Sequence, residues 1–267
     1  MIPNLTIGDL MIDCANAERA CDFYADLLDY EKTIAFGCLA VKAGNGMTIL
    51  FAELDIPYVP PVWPEEPGKQ QKQMHLDFSM DDFPASVEKA IRLGATKAAA
   101  QYGGEGSITM LDPDGHPFCM GQKAQTKSEK SEFDLYFEEK GYGVIQDISI
   151  NIDCQKQQTL REFYAQLTGW DQSFHWSALI ADNRMIICFQ GCDQDATMDE
   201  YIPPVWPEEP GKQQKQIHFN FQVDDLQSAL EEAVRLGATK AAQQYGGKHF
   251  VTLLDPDGHP FCLCNRK

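Results

Sequence analysis

The sequence predicts an α+β fold in which four βαβββ modules pair into two incomplete barrels. The 14-residue string PPVWPEEPGKQQKQ occurs at positions 60–73 and again, without change, at 203–216. Further matching segments, from RLGATKAA to LDPDGHPFC, keep one offset, as between His75 and His218 (218 − 75 = 143). A constant offset indicates one structural unit built twice. Within each unit the order strand, helix, strands occurs twice, so the expected module count is four.

The first half shows this order most clearly. Residues 5–14 alternate as a strand does, and Asn16 is a suitable N-cap for the apolar helical stripe that follows. After the repeated string the order restarts with a strand over 74–80 and a helix that Asp82 caps and Gly94 ends. Short strands complete the two modules: 33–42 and 47–53 in the first, and 97–102, 107–111 and 117–121 in the second.

The second half repeats the order, and a charged segment separates the halves. The sequence therefore predicts two domains and a linker. Domain 1 spans 1–122 with modules 1–55 and 73–122, the linker spans 123–142, and domain 2 spans 143–267 with modules 143–190 and 216–267. A short helix is expected over FDLYFEE in the linker. We expect the two modules of each half to pair, so that each domain has its own concave cup for a small ligand.

Composition excludes several classes of partner. A net charge of −18 and a pI near 4.6 would repel a phosphate backbone, so no nucleic-acid partner is expected. The sequence shows neither a membrane-spanning run nor the layout of a signal peptide, which predicts no membrane partner. Nine cysteines without a secretion signal favour reduced thiols and a cytoplasmic location. The expected partner is a small-molecule ligand, and a homodimer stays open.

Two long segments carry a family resemblance: HLDFSMDDF…LDPDGHPFC at 75–119 and HFNFQVDDL…LLDPDGHPFCL at 218–263. Together with FYADLLDY at 23–30 and FYAQLTGW at 163–170, they resemble the vicinal oxygen chelate superfamily, which includes glyoxalase I, extradiol dioxygenases and bleomycin-resistance proteins. The repeated string followed by His is similar to the glyoxalase-like domain subgroup. The resemblance covers nearly the whole chain and implies the fold. It leaves the reaction open, because the superfamily spans isomerases, lyases, oxygenases and metal-free binders.

The resemblance also implies four positions for a divalent metal at the mouth of each cup, usually filled by His, Glu, His and Glu. These positions hold Asp9, Glu53, His75 and Cys119 in the first half, and Ser149, Gln190, His218 and Cys262 in the second, with the register of Glu53 and Gln190 open. Hard divalent ions prefer oxygen ligands, whereas thiolates favour zinc or iron. From these mixed sets we expect no metal ligand and no cofactor. A divalent metal in the N-terminal cup stays an alternative.

His75 and His218 are the candidate catalytic residues, since each would point into a cup with a pKa near neutrality. A structural role, in which each imidazole is hydrogen-bonded to a neighbour, is the alternative. The other residues of the metal positions are candidates for ligand binding. Among them, Cys119 and Cys262 are more readily explained as small buried side chains than as nucleophiles.

The tryptophan of each repeated string, Trp63 and Trp206, is also a candidate for ligand binding. Flanking prolines restrict the backbone, so the indole could form an aromatic wall of the cup or a hydrophobic plug between modules. The turn residues His116 and His259 are expected to face solvent. A solvated charged face is expected from Glu65, Glu66, Lys69, Lys72 and their twins.

These observations favour a glyoxalase-like protein of open reaction that binds small organic molecules in the cup of each domain, with little or no metal dependence. One alternative is a metal-dependent lyase or isomerase of glyoxalase type that uses the N-terminal cup, motivated by Asp9, Glu53 and His75. Another is an antibiotic-sequestering protein of the bleomycin-resistance type, motivated by the acidic charge. Whether the protein is an enzyme stays open. If it is one, a glyoxalase-type lyase or isomerase, or an oxygenase, would fit the family resemblance.

Overall fold

The computed structural model describes residues 1–44, 46–123, 132–140, 148–172, 177–192 and 200–266. The four predicted modules are present, each with a first strand, a helix and further short strands. The first module contains β1 (Thr6–Cys14), α1 (Ala17–Leu28), β2 (Glu31–Ala35), β3 (Cys38–Lys42) and β4 (Thr48–Glu53), and the second contains β5 (Met74–Met80), α2 (Phe83–Arg92), β6 (Thr96–Lys97), β7 (Ser107–Leu111) and β8 (Pro117–Gln122). After α3 (Glu132–Glu139), the third module contains β9 (Ile148–Cys154), α4 (Gln157–Thr168), β10 (Ala178–Ile180) and β11 (Ile186–Gly191), and the fourth contains β12 (Ile217–Val223), α5 (Leu226–Leu236), β13 (Thr239–Lys240), β14 (Phe250–Leu254) and β15 (Pro260–Asn265).

Side-chain caps begin three of the module helices, at Asn16 and Asp82 as predicted and at Asp225, the residue equivalent to Asp82 in the second half. The side-chain oxygens of Asn16, Asp82 and Asp225 accept a backbone N–H three residues further on, at 2.7, 3.1 and 2.9 Å. The apolar stripes of α1 and α4 bring Tyr24 and Tyr164 into the core, where both are fully buried. The helices thereby cover one face of each sheet, and the opposite face is left to form a cup.

The modules pair across the two halves of the chain. The eight-stranded sheet has the order β13-β14-β15-β12-β1-β4-β3-β2, and the seven-stranded sheet has the order β10-β11-β9-β5-β8-β7-β6. The first and fourth modules therefore form one cup, here the outer cup, and the second and third form the inner cup. Four modules in two open sheets are confirmed, but the expectation that each half forms its own cup is wrong. The domain boundaries 1–122, 123–142 and 143–267 stay a prediction.

The two copies of the repeated string cross between the sheets and bind each other. One copy leads from β4 in the outer sheet to β5 in the inner sheet, and the other leads from β11 back to β12. Gln70 Nε2 donates to the carbonyl of Gln214 at 2.8 Å and Gln70 Oε1 accepts from its N–H at 2.7 Å, while the N–H of Gln71 donates to Gln213 Oε1 at 2.8 Å. Because each string is the binding partner of the other, a change in one alters their shared contact. This gives a physical reason for their identity.

Helix α3 confirms the short helix predicted for FDLYFEE, and it begins one residue earlier, at Glu132. The rest of the predicted linker up to residue 142, and the start of the predicted second domain at 143, lie largely outside the described residues. Within the described ranges, no helix has both the length and the apolar character needed to cross a membrane.

Candidate functional site

A row of polar side chains crosses the concave face of the outer cup. Asp9 on β1 lies opposite Asn220 on β12, Asn220 lies beside Cys262 on β15, and Cys262 lies opposite Thr252 on β14. Residues in cross-strand register point to the same face. Asn220 Nδ2 donates to Asp9 Oδ1, and Cys262 Sγ is 3.5 Å from Thr252 Oγ1. His218, two residues before Asn220 on the same strand, shares this face.

The inner cup has the same kind of row, with the carboxylate on the other strand. Asp77 on β5 lies opposite Ser149 on β9 and beside Cys119 on β8, and His75 lies opposite Asn151. Asn151 Nδ2 donates to Asp77 Oδ2 at 2.6 Å, and His75 Nε2 is 3.4 Å from Asp77 Oδ1. Each cup therefore brings together a histidine, an aspartate, an asparagine and a cysteine.

Burial makes the two cup histidines weak bases. Burial lowers the pKa of His218 to about 3, and the nearby Lys215 ammonium acts in the same direction. The pKa of His75 lies well below its usual range because of burial and then the charge of Lys72. The Nδ1 atoms of His75 and His218 are buried without a hydrogen-bond partner. A neutral imidazole can form a hydrogen bond or bind a metal, but it is a poor proton acceptor, and the catalytic role of both residues stays a prediction.

The carboxylates of the two cups suit proton transfer better than the thiols suit nucleophilic attack. Burial raises the pKa of Asp9 and of Asp77 to about 6, although an asparagine amide bonded to each opposes the rise. Burial also raises the pKa of Cys119 to about 12 and of Cys262 to about 11. At neutral pH the aspartates are ionised and moderately basic, whereas the thiols are protonated. The arrangement thus favours the explanation of both cysteines as small packing side chains, with Cys262 buried and Cys119 half-buried.

A buried ion triad lies at one side of the outer cup. Lys215 Nζ contacts Asp13 Oδ2 at 2.7 Å and also bonds to Glu208. The ammonium is 5.1 Å from the centre of the Trp206 ring, a cation–π distance. The Lys215 side chain is only 6% exposed.

The inner cup contains the twin of this triad. Lys72 Nζ contacts Asp153 Oδ2 at 2.6 Å and Glu65 Oε1 at 3.3 Å, and it lies 5.2 Å from the centre of the Trp63 ring. The expected solvated face is therefore wrong for Lys72 and its twin Lys215, and also for their partners Glu65 and Glu208, whose side chains are 8% and 15% exposed. Lys69 and Glu66 are exposed as expected. The reason is tertiary: each buried lysine meets an aspartate from a different module.

The two turn histidines are buried, so the expectation that they face solvent is wrong. His116 is 2% exposed and His259 is 1% exposed. His259 Nδ1 is 3.0 Å from Asp255 Oδ2, its Nε2 is 2.8 Å from Tyr201 Oη, and Tyr164 Oη donates to the same carboxylate at 3.0 Å. Tyr201, which precedes the second copy of the string, packs on His259 with the ring centroids 5.1 Å apart and helps to exclude solvent from this turn.

A cavity of about 1090 Å³ occupies the outer cup. Its lining includes the polar row and the ion triad, with Trp206 along one wall. Phe36 and Tyr245, which are 70% and 60% exposed, stand at its rim. Trp206 is held by its Nε1, which donates to the carbonyl of Gln243 at 3.0 Å. The volume is slightly above the range of about 300–1000 Å³ that is usual for small-molecule sites.

The predicted site residues fall into two sets, and neither is the set expected from the halves. The outer cup brings together Asp9, Glu53, Trp206, His218 and Cys262, and the inner cup brings together Trp63, His75, Cys119, Ser149 and Gln190. Asp9 and His75 are therefore not ligands of one site, because their strands belong to different sheets. Glu53 lies at the rim of the outer cavity, where its Oε1 accepts from the N–H of Ala17 at 2.9 Å.

The metal implied by the resemblance fits the inner cup better than the outer one. Among the described residues, one group of three can offer ligand atoms that all lie within 4.8 Å of one another: His75, Asp77 and Cys119. Nitrogen, oxygen and sulfur ligands together suit zinc or iron. In the outer cup Asn220 takes the place of Asp77, and the described residues there form no comparable group. The donor set of the outer cup therefore does not fit a metal.

The described architecture matches a known family along most of its length. A family model described as "Glyoxalase-like domain" matches residues 9–121 and 149–264, once in each half. The chain belongs to the glyoxalase-like domain family. This result confirms the resemblance to the vicinal oxygen chelate superfamily and the duplicated unit. No curated protein matches the sequence.

Solved structures share the fold of this glyoxalase-like chain. Glyoxalase I from Zea mays is 13% identical with a TM-score of 0.61, over 98% of this chain and 92% of that chain. A putative dioxygenase from Bacillus subtilis is 10% identical with a TM-score of 0.55, over 97% of this chain and 84% of that chain. At these identities the likeness concerns the fold alone, and the two proteins carry the names of different reactions.

Sequence reasoning missed the residues that complete the two sites. The acidic partners of the buried lysines, Asp13 and Asp153, were not singled out, and neither were the amides Asn151 and Asn220. One signal was present: both aspartates stand in the tripeptide Ile-Asp-Cys at the end of the first strand of each half, at the offset of that strand (153 − 13 = 140). No comparable pattern marks the amides, because they occupy different positions in the two cups.

Proposed function

We propose that this glyoxalase-like protein binds small organic molecules in its outer cup, without a tightly held metal ion there. The observation that carries the proposal is a cavity of about 1090 Å³ whose lining residues include Asp13 and His218, each with a buried polar atom, Oδ1 and Nδ1, that has no hydrogen-bond partner. A buried polar atom without a partner costs about 1–3 kcal/mol. A ligand that fills the cavity and bonds to these atoms, after a side-chain rotation that brings them to the cavity surface, would recover that free energy. We also propose a cytoplasmic location, as the cysteine content predicts.

The lining of the cavity favours a ligand with an apolar body and a hydrogen-bond donor or a positive charge. Aromatic side chains at the wall and rim can pack against a flat ligand. Carboxylates outnumber cations: Asp9, Asp13, Glu53, Asp55 and Glu208 stand against Lys215 and Arg266. If the outer cup catalyses no reaction, this excess of carboxylates supports the sequestration of an organic cation as the function.

Asp9 is the residue we assign to proton transfer if the outer cup catalyses a reaction. Its pKa of about 6 lies close to neutrality, and the amide of Asn220 holds its carboxylate in place. His218, which stays neutral, can hydrogen-bond to the substrate from the neighbouring position.

A metal-dependent reaction is the second candidate, and it belongs to the inner cup. The support for it is the close grouping of His75, Asp77 and Cys119, in which Nδ1 of the histidine and Oδ1 of the aspartate lack a hydrogen-bond partner. A bound divalent metal would supply Lewis-acid activation of a substrate oxygen. The other two residues expected with His75, Asp9 and Glu53, lie in the outer cup.

Calorimetric titration with neutral and cationic aromatic compounds tests the outer-cup proposal. Trp206→Ala is expected to weaken binding at least tenfold, because it removes one wall of the cavity. Trp63→Ala, the matched change in the inner cup, is expected to leave the affinity unchanged. Equal affinities in wild type and Trp206→Ala, or no binding by any compound at micromolar concentrations, would reject the proposal. A large fall in melting temperature without a loss of affinity would identify Trp206 as a structural plug.

Metal analysis of protein purified without chelator separates the two candidates. The metal-dependent hypothesis predicts close to one divalent ion per chain in wild type and in His218→Ala. It predicts the loss of this ion in His75→Ala. Sub-stoichiometric metal in all three proteins leaves the metal-free binder as the function.

A further inference from the structure

Phe137 anchors helix α3 in a small apolar cluster that is separate from the main core. Its buried partners are Ala178 and Ile180 of β10 and Ile186 of β11, and Cys188 of β11 packs alongside. The Phe137 side chain is fully buried. A helix from the predicted linker has thus placed an aromatic ring on strands of the inner sheet.

This cluster lies on the concave face of the inner cup. Ile180 pairs with Ile186, Ile186 with Ser149, and Ser149 with Asp77, so the apolar residues continue the row that carries the aspartate. Residues in one cross-strand row share a face. The charge of Asp77 also contributes, after burial, to a pKa of about 12 for Cys188. Phe137 therefore occupies space in the cup itself, beside its polar row.

The outer sheet is more polar at the matching place, where two of the four equivalent residues, Ala40 and Leu50, are apolar and the other two are polar. Its equivalent row runs from Lys42 through Thr48 to Asp9. Lys42 and Thr48 thus stand where the inner sheet has Ile180 and Ile186. The Lys42 side chain is 54% exposed. The two isoleucines that contact the ring of Phe137 are consequently a difference between the inner sheet and the outer one.

The outer side of α3 faces solvent. Leu135 is 45% exposed, and Glu138 and Glu139 at the C-terminal end of the helix face solvent. The hydroxyl of Tyr136 donates to Asp171 Oδ2 at 2.8 Å. An isolated helix of eight residues is marginal in water, so α3 depends on this docking for its order. Short surface elements can open locally at a free energy below that of global unfolding.

We propose that α3 is an internal plug of the inner cup. Phe137 holds an apolar subsite that accepts an aromatic or branched apolar group of a ligand, next to the hydrogen-bonding row of His75 and Asp77. A ligand reaches this subsite when α3 detaches, whereas the outer cup holds a cavity without such a movement. The plug rests on the second candidate of the proposed function only in treating the inner cup as a substrate site, and its test needs no ligand.

Alkylation of the native protein by iodoacetamide, followed residue by residue by mass spectrometry, measures the opening of α3. Phe137→Ala is expected to speed the labelling of Cys188 at least tenfold. The matched change Leu135→Ala, on the exposed side of the same helix, is expected to leave that rate unchanged. Cys154, fully buried on the opposite face of the inner sheet, reports whether the sheet itself stays folded.

Two outcomes would overturn the plug. Equal labelling of Cys188 in wild type and Phe137→Ala would show that the helix does not guard the cup. Joint labelling of Cys188 and Cys154 in Phe137→Ala would show that α3 is part of the fold and not a removable cover. Titration of the outer cup in the same variant keeps the two proposals apart, because its affinity is expected to equal that of wild type.

Discussion

Lys215→Met would remove the cation from the buried triad of the outer cup while keeping the apolar stem beside Trp206. The Lys215 side chain is 6% exposed and Asp13 is 1% exposed, with 2.7 Å between Nζ and Oδ2. Breaking a buried pair by removing one partner costs about 3–5 kcal/mol, because a charge is left uncompensated. For a chain of this size, that corresponds to a fall of about 10 °C in melting temperature.

The loss is expected to depend on pH with a definite sign. Burial already raises the pKa of Asp13 from 3.8 to about 6, and Lys215 is the strongest influence that opposes the rise. Without Lys215 the pKa rises further, so the folded state favours the protonated acid even more strongly. The penalty is therefore largest at pH 7–8 and shrinks as the pH falls towards 5, where the stranded carboxyl takes up a proton. Asp13→Asn in the Lys215→Met background is expected to recover much of the loss at pH 7.5.

Urea unfolding at pH 5 and pH 7.5 measures both effects. Lys212→Met is the matched control, since Lys212 belongs to the same string and is exposed; its effect is expected to stay within about 0.5 kcal/mol. Equal small losses for Lys215→Met and Lys212→Met would refute the burial argument. A large loss that is the same at both pH values would refute the role assigned to Asp13.

Further changes test other parts of the structure. Asp9→Asn is expected to stabilise the protein at pH 7.5 by up to ~3 kcal/mol. The reason is that the raised pKa of Asp9, about 6 against 3.8, costs stability as the pH rises through 6. Urea unfolding at pH 4 should show little effect of this change, and an equal gain at both pH values would contradict the raised pKa of Asp9. Gln70→Ala leaves the backbone N–H and C=O of Gln214 without this partner and is expected to cost about 2–3 kcal/mol in the same assay. A loss below 0.5 kcal/mol would show that the contact between the strings is not stabilising.

Local elements could be read from the sequence because short-range interactions decide them. Asn16, Asp82 and Asp225 cap their helices through bonds that span three residues, so the residue type and the apolar stripe that follows suffice to place each helix start. The candidate site was predicted less well. The position of Asp9 on a cup-facing strand was expected, whereas the buried lysines were assigned to solvent, because the sequence does not show which carboxylates meet them.

The sequence by itself determined that one unit is built twice, that four modules form an α+β fold, and which residues occupy matching positions. Only the tertiary structure decided which modules share a cup. The strands β5 and β12 are near twins, MHLDFSM and IHFNFQV, so β1 would find a similar partner in either, and no local pattern separates the two pairings. The crossing of the two strings resolves this choice, since each carries the chain from one sheet to the other. That long-range path places Asp9 with His218, joins Lys215 to Asp13, and leaves the outer cup as the open cavity.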